Sequence, residues 1–425
     1  MRRADWMLAG WLCVLTIAGC AAPAGALAQG ERPAEPPGEA RTLWMLDTAV
    51  RQTTATRDVV SMSGWWLWQP AGGEMDAPPE DGWGRLRVPT PWPSNTDDQA
   101  QRRLTPNPAW PDKALADLKA AWYQVELTVP DDWADRHIAL TADYLHSFAT
   151  VYVDGWKAGD MQFPAGEVDL TPFCHPGRTH TLSIAVLAVP LRAVMLAFND
   201  TNAAREVEGR VRNKGLCGDV KLVAGPREAR IGDVRVETST RNWQITFNTE
   251  LSDVDPEAAY VLHAEVRDGD EVARTFTSDP FSGREVVDGR ISITKNWRPE
   301  KLWDLHTPEN RYDVTVSVLD AGGKVLDEAL PERFGFREFW IDGRFFYLNG
   351  SKVFLSFSRG QPGRDYDGAR ERMRSLREVG INLVACGGFG AAPGDHTGFE
   401  GVLKAADDEG TLVALTQPHY RQYDW

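Results

Sequence analysis

Residues 123–129 alternate between apolar and polar positions. Tyr123, Val125, Leu127 and Val129 interleave with Gln124, Glu126 and Thr128. A period of two marks a strand with one buried and one wet face, and Pro130 ends it. Ala149 to Val153 (ATVYV) run into Asp154-Gly155, a hairpin dipeptide because Gly accepts positive φ at little cost. Leu182, Ile184 and Val186 form another alternating strand. Short strands, frequent turn signals and no helical period predict a β-sandwich or jelly roll over 41–225, taken as a jelly-roll β-sandwich. The same texture continues over 226–336, with Val234 and Val236, then Trp243, Ile245 and Phe247, then Tyr312, Val314, Val316 and Val318. Asp320-Ala-Gly-Gly reads as a hairpin loop, and roughly 110 residues of this kind suit an immunoglobulin-like sandwich.

The period changes over 337–425. Lys352 to Phe357 (KVFLSF) is an apolar run, expected as a parallel strand buried on both faces. Asp365 or Asp367 can cap a helix whose apolar stripe is Ala369, Met373 and Leu376, with Gly380 as its stop. Ile381 to Ala385 reads as a strand. Phe399, Val402, Leu403 and Ala406 follow helical spacing up to Gly410, and Thr411 to Leu415 is a third strand. Strand–helix–strand–helix–strand predicts βαβ crossovers and the first three units of a TIM (β/α)8 barrel. Such a barrel takes about 250 residues. The chain of 425 residues is therefore expected to be the N-terminal portion of a longer polypeptide, cut within the barrel.

Ahead of these regions, Arg2, Arg3 and the apolar run Met7 to Ile17 have the form of an export signal. Ile17-Ala18-Gly19-Cys20 matches a bacterial lipobox, with Cys20 as the lipidated residue and 1–20 as the signal. Ala26-Leu27-Ala28 offers the alternative of ordinary cleavage. Residues 21–40, rich in Ala, Pro and Gly, read as a flexible tether. The expected location is thus a membrane-anchored lipoprotein, or the periplasm or exterior, with membrane contact only through the lipid. A net charge of −15 argues against a nucleic-acid partner. The five cysteines show no CxxC and no metal spacing; Cys174 and Cys217 can either pair or remain buried thiols. No metal and no cofactor is expected. The 17 Trp are read chiefly as sandwich core and loop anchors, with sugar stacking as the sharper alternative.

The order of several short segments resembles family 2 of the glycoside hydrolases, the β-galactosidases, β-mannosidases and β-glucuronidases. Trp122 to Pro130, Val151 to Gly155 and Asp169-Leu170-Thr171 resemble successive landmarks of that family's sugar-binding sandwich. Gly64-Trp65, Val88 to Trp92 and Gly218-Asp219-Val220 resemble others. Asn296 to Asp320 resembles its W-x-P-x-L-W segment, where Trp297 and Trp303 are read as core and inter-domain packing. Phe334 to Arg337 and Phe346 to Gly350 resemble its junction into the catalytic barrel.

The resemblance implies retaining hydrolysis of a β-O-glycosidic bond in a carbohydrate substrate. Two carboxylates about 5–5.5 Å apart serve as general acid and nucleophile. In the family both are Glu, one after the fourth barrel strand and one at the seventh, so no residue of this chain takes either role. Glu371, Glu378, Glu400, Asp407, Asp408 and Glu409 are read as solvated helix charges. Residues past the C-terminal ends of barrel strands face the active site, which singles out Arg359, Gln417 and His419 as candidate substrate contacts, with a loop-stabilising ion pair the alternative for Arg359 and loop packing the alternative for His419. One departure stands out: the family's strand-two Arg corresponds to Ala385, with no His closely following, which implies a divergent subfamily. A non-catalytic carbohydrate-binding or surface lipoprotein is the alternative.

Overall fold

The computed structural model describes residues 42–415, apart from 73–74, 94–102, 112–114, 116–117, 164, 189–190, 198–202, 210–213, 360–365 and 387–398. The residues read as an export signal and tether, Cys20 among them, lie outside the described residues, as do Asp365, Gln417 and His419. What is described is mainly β.

Two sheets face each other over the first apolar core. One has five strands in the order 51–53, 58–61, 220–225, 137–143 and 165–169. The other has seven, in the order 156–162, 148–153, 179–187, 120–128, 64–70, 84–88 and 104–105. The alternation at 123–129 is a central strand, Ala120–Thr128, with Val125 and Leu127 buried between the sheets. Trp66, Trp68, Trp133 and Tyr123 are buried there too, so these tryptophans serve as core. Asp154 (φ 50°) and Gly155 (φ 82°) form the hairpin turn with both central residues left-handed, the type whose twist matches its flanking strands. Cys174 and Cys217 are buried free thiols, and burial pushes the Cys174 thiol up to about 12.

A second core lies between a three-stranded sheet (230–239, 244–252, 290–296) and a six-stranded one built on 259–268 and 312–320. Trp297 packs edge-on to Phe276, Tyr312 and Phe336 inside it. A three-stranded antiparallel ribbon, 339–342, 345–348 and 351–353, leads out of it.

The third core joins parallel strands Phe357–Arg359, Leu383–Cys386 and Leu412–Leu415 to helices α1 (Tyr366–Glu378) and α2 (Phe399–Glu409). The α1 stripe Ala369, Met373 and Leu376 is buried as expected. On α2 the buried positions are Val402, Ala405 and Ala406, while Leu403 is exposed. The expectation for residues 352–357 fails. Ser351–Val353 belongs to the antiparallel ribbon, only Phe357–Arg359 joins the parallel sheet, and Phe354 and Phe357 are 85% and 64% exposed. Asn382 explains the break. Its Oδ1 accepts the Ser356 N–H at 2.9 Å and its Nδ2 donates to the Phe354 carbonyl at 2.9 Å. The two backbone groups are thereby taken by a side chain rather than by a neighbouring strand.

The first two cores are joined at a buried carboxylate. Asp327 is fully buried and paired with Arg57. It also accepts from Thr56 Oγ1 at 2.8 Å and from the Ile231 N–H at 2.8 Å, while Arg57 donates to the Ile231 carbonyl at 2.8 Å. Removing one partner of such a pair strands the other charge in low dielectric. Asp327→Ala is therefore expected to cost about 3–5 kcal/mol. Arg290→Ala, at the exposed pair with Glu250, is expected to cost less than about 1 kcal/mol. Urea denaturation of both variants checks the contrast.

Candidate functional site

The three parallel strands share a simple register. Phe357, Leu383 and Leu412 form one row, Ser358, Val384 and Val413 the next, and Arg359, Ala385 and Ala414 the third. Val384 and Val413 pack with α1 and α2. Because side chains alternate across a strand, the first row, Phe357, Leu383 and Leu412, belongs to the face turned away from the helices. The N-terminal end of that face is closed: Leu412 packs with Trp303, Leu305, Leu348 and Val353. The third row lies at the other end. Arg359, the last residue of its strand, sits beside Ala385, and Ala414 is next across the sheet. A long cationic residue is thus placed in a row whose other members are alanines. Gln417 and His419 follow Leu415 beyond the described residues, so the structure brings neither to Arg359.

The acidic residues on α2 require a correction. Glu371 and Glu378 are exposed, as expected for solvated charges. Asp407, Asp408 and Glu409 instead carry contacts at the C-terminal end of α2, where the helix dipole disfavours anions. Asp407 Oδ1 accepts from Arg337 Nη1 at 2.7 Å, and the Asp407 carbonyl accepts the Trp303 indole N–H at 2.9 Å. Asp408, with its side chain 7% exposed, pairs with Arg311 and with Arg333 at 3.0 Å. It also accepts from the Tyr366 hydroxyl at 2.5 Å. Glu409 accepts from Arg370 Nε at 2.6 Å and Arg374 Nη2 at 2.8 Å. Arg377 donates to the Glu409 carbonyl at 3.0 Å, satisfying an end group of the helix. Helical spacing alone could not reveal these partners, but three acids against an unfavourable dipole are a signal that cations must lie near.

A second polar cluster sits at the hairpin of the first core. His180 is buried; its Nε2 accepts the His175 N–H at 3.0 Å, so its Nδ1 carries the proton given to Asp154 Oδ2 at 2.6 Å. Asp154 also accepts the Thr181 N–H at 2.7 Å. Burial alone would raise the Asp154 carboxyl, but the bonds from His180 and Thr181 outweigh it and hold it below the ordinary range. With both ring nitrogens engaged, His180 serves the turn rather than catalysis. Among the described residues no group of three or more His, Cys, Asp or Glu side chains is arranged to hold a metal ion.

The family model "Glycosyl hydrolases family 2" matches residues 229–337, which is the second core. A β-glucuronidase from Ruminococcus gnavus in complex with D-glucuronic acid superposes with a TM-score of 0.60 at 17% identity, over 87% of this chain and 61% of that one. A Bifidobacterium dentium β-glucuronidase complexed with coumarin-3-O-glucuronide gives a TM-score of 0.62 at 19% identity, over 86% of this chain and 62% of that one. The chain thus has the fold of these enzymes and spans about three fifths of their length. The family match over the second core and the shared fold agree with the resemblance read from the order of segments.

The Glu409 geometry carries a pH signature. Burial would raise its carboxyl, but hydrogen bonds from Arg374 and Arg370 outweigh burial and place it below its ordinary value of 4.5. A depressed acid stabilises the fold above its unfolded value and loses that contribution as pH falls through the folded one. Glu409→Gln is therefore expected to lower the unfolding midpoint at pH 7, with the gap to the parent closing as pH drops below 4.5. Thermal unfolding of both proteins across pH 3–7 measures it.

Proposed function

We propose that this chain is the N-terminal portion of an exported, retaining β-glycosidase. The observation that carries the reading is the family match over 229–337, supported by the β-glucuronidase fold. In this reading 41–225 is the jelly-roll sugar-binding-type sandwich and 226–336 the immunoglobulin-like sandwich. Residues 337–425 are the first three units of a TIM barrel. The substrate is a β-O-glycoside, and the ligands of the two neighbours point to β-glucuronides as the first class to try. The two Glu carboxylates of the retaining mechanism come from barrel strands beyond this chain, one protonating the leaving oxygen and one attacking the anomeric carbon.

This chain's contribution is substrate contact at the strand ends. Arg359 holds a substrate hydroxyl or carboxylate, and Gln417 and His419, which follow the third strand in the sequence, are the further contacts proposed. Ala385, where the family usually has Arg, leaves Arg359 as the cation of that row. Guanidinium suits a carboxylate because its fork makes two parallel hydrogen bonds.

The test is made on the protein from the complete reading frame. Aryl β-glycosides, the β-glucuronide among them, are assayed for release of the phenol. The corresponding 2-deoxy-2-fluoro glycosides are then used for trapping. Turnover with retained anomeric configuration, and one fluoroglycosyl adduct per chain by mass spectrometry, are expected. No turnover of any aryl β-glycoside, or inverted product by NMR, overturns the reading and favours the carbohydrate-binding lipoprotein. Export through Cys20 is tested separately. The mature N-terminus is expected to be a diacylglyceryl-modified Cys20; a free Gln29 start indicates ordinary cleavage.

A further inference from the structure

The third core meets the second through a mixed polar and apolar seam. Trp303 is almost fully buried within it. One edge of its indole donates to the Asp407 carbonyl, the Arg337 guanidinium lies 4.2 Å from its ring centroid, and its own carbonyl accepts Asn349 Nδ2 at 2.8 Å. The next residue, Asp408, takes Arg311, which immediately precedes the strand Tyr312–Asp320, and Arg333, in the strand Glu332–Phe334 of the second core. Immediately after, Gly410 adopts φ 65°, and a Cβ there would press on the Leu305 carbonyl, again from the second region. Leu412, the first residue of the third parallel strand, then packs against Trp303 and Leu305. Asp407, Asp408, Gly410 and Leu412, between the end of α2 and the start of the strand, thus each meet a residue of 303–337.

We infer that Arg311, Arg333 and Trp303 form a latch. They dock the C-terminal end of α2 onto the second core and so position the strand Leu412–Leu415. The physical argument is a mismatch within the third unit itself. An acidic helix C-terminus is unfavourable on its own. Of its three acids, Glu409 is neutralised by α1, whereas Asp407 and Asp408 look to the second core for their cations. Without the latch, Asp408 stands unpaired at the negative end of the helix dipole, and the Asp407 carbonyl loses the Trp303 indole donor. Local opening of the α2–strand segment then becomes the low-energy excursion, because stability is not uniform across a structure. Arg311, Arg333 and Trp303 are positioning residues: they act on where the strand lies, and the latch does not depend on which glycoside, if any, the protein hydrolyses.

Hydrogen exchange read by mass spectrometry on the full chain tests it. Three variants are compared with the parent: Arg311→Gln with Arg333→Gln, Asp408→Asn, and all three changes together. The first two are each expected to lower protection of peptides within 399–415 at least tenfold. Peptides from 230–330 should retain parental protection. The combined variant should lose little more than either alone, since each already breaks the same contact. A swap, Asp408→Arg with Arg311→Asp, is expected to recover part of the protection. Unchanged protection within 399–415, equal loss across the second core, or additive losses in the combined variant would overturn the latch. If the double arginine variant does not fold, Asp408→Asn and the swap decide the matter. Absence of glycosidase activity leaves every one of these outcomes readable.

Discussion

A buried carboxylate met by arginine at each seam between cores is the constraint on which this architecture depends. Two β-sandwiches and an α/β unit each bury their own apolar residues, and apolar burial is indifferent to direction. Relative placement needs contacts with geometry. Asp327 supplies them between the first two cores through Arg57, Thr56 and the Ile231 backbone. Asp408 supplies them between the second and third through Arg311 and Arg333. A buried ion pair adds little net stability compared with a well-packed apolar pair, but it is severely destabilising when one partner is removed. Such contacts suit seams, where register matters more than strength.

Placement of the strand ends follows from the second seam. The N-terminal end of the parallel sheet is closed by Leu348, Val353 and Trp303, and the row bearing Arg359 lies at the opposite end. The sandwich that the family model recognises therefore supports, from below, the strands whose upper ends carry the candidate substrate contacts. Sequence identity to the β-glucuronidases is under one fifth, yet the fold is shared.

Much of this was legible in the residues. The alternation at 123–129, the Asp154-Gly155 turn and the Met373 stripe each follow from a local period, and local periods survive folding when one face is buried. Two expectations failed for a non-local reason. The apolar run at 352–357 looks like one strand, but the side chain of Asn382, some 26 residues on, takes the backbone groups of Phe354 and Ser356 and splits it. The acids at 407–409 look solvated, because their arginines lie 70 or more positions earlier in the chain or on the neighbouring helix. Periodicity reports which face a residue occupies; it does not report which charge waits opposite. The candidate contacts were legible only through resemblance, since Arg359 has no distinguishing local pattern.

The turn at Asp154 has a chemical consequence as well as a conformational one. Aspartate followed by glycine is the dipeptide most prone to ring closure, in which the next backbone nitrogen attacks the side-chain carbonyl and leaves isoaspartate. Here both carboxylate oxygens are engaged, one by the His180 ring and one by the Thr181 N–H. That tether restrains the rotation which would bring carbonyl carbon and nitrogen together. This hairpin of the first sandwich is accordingly built to age slowly.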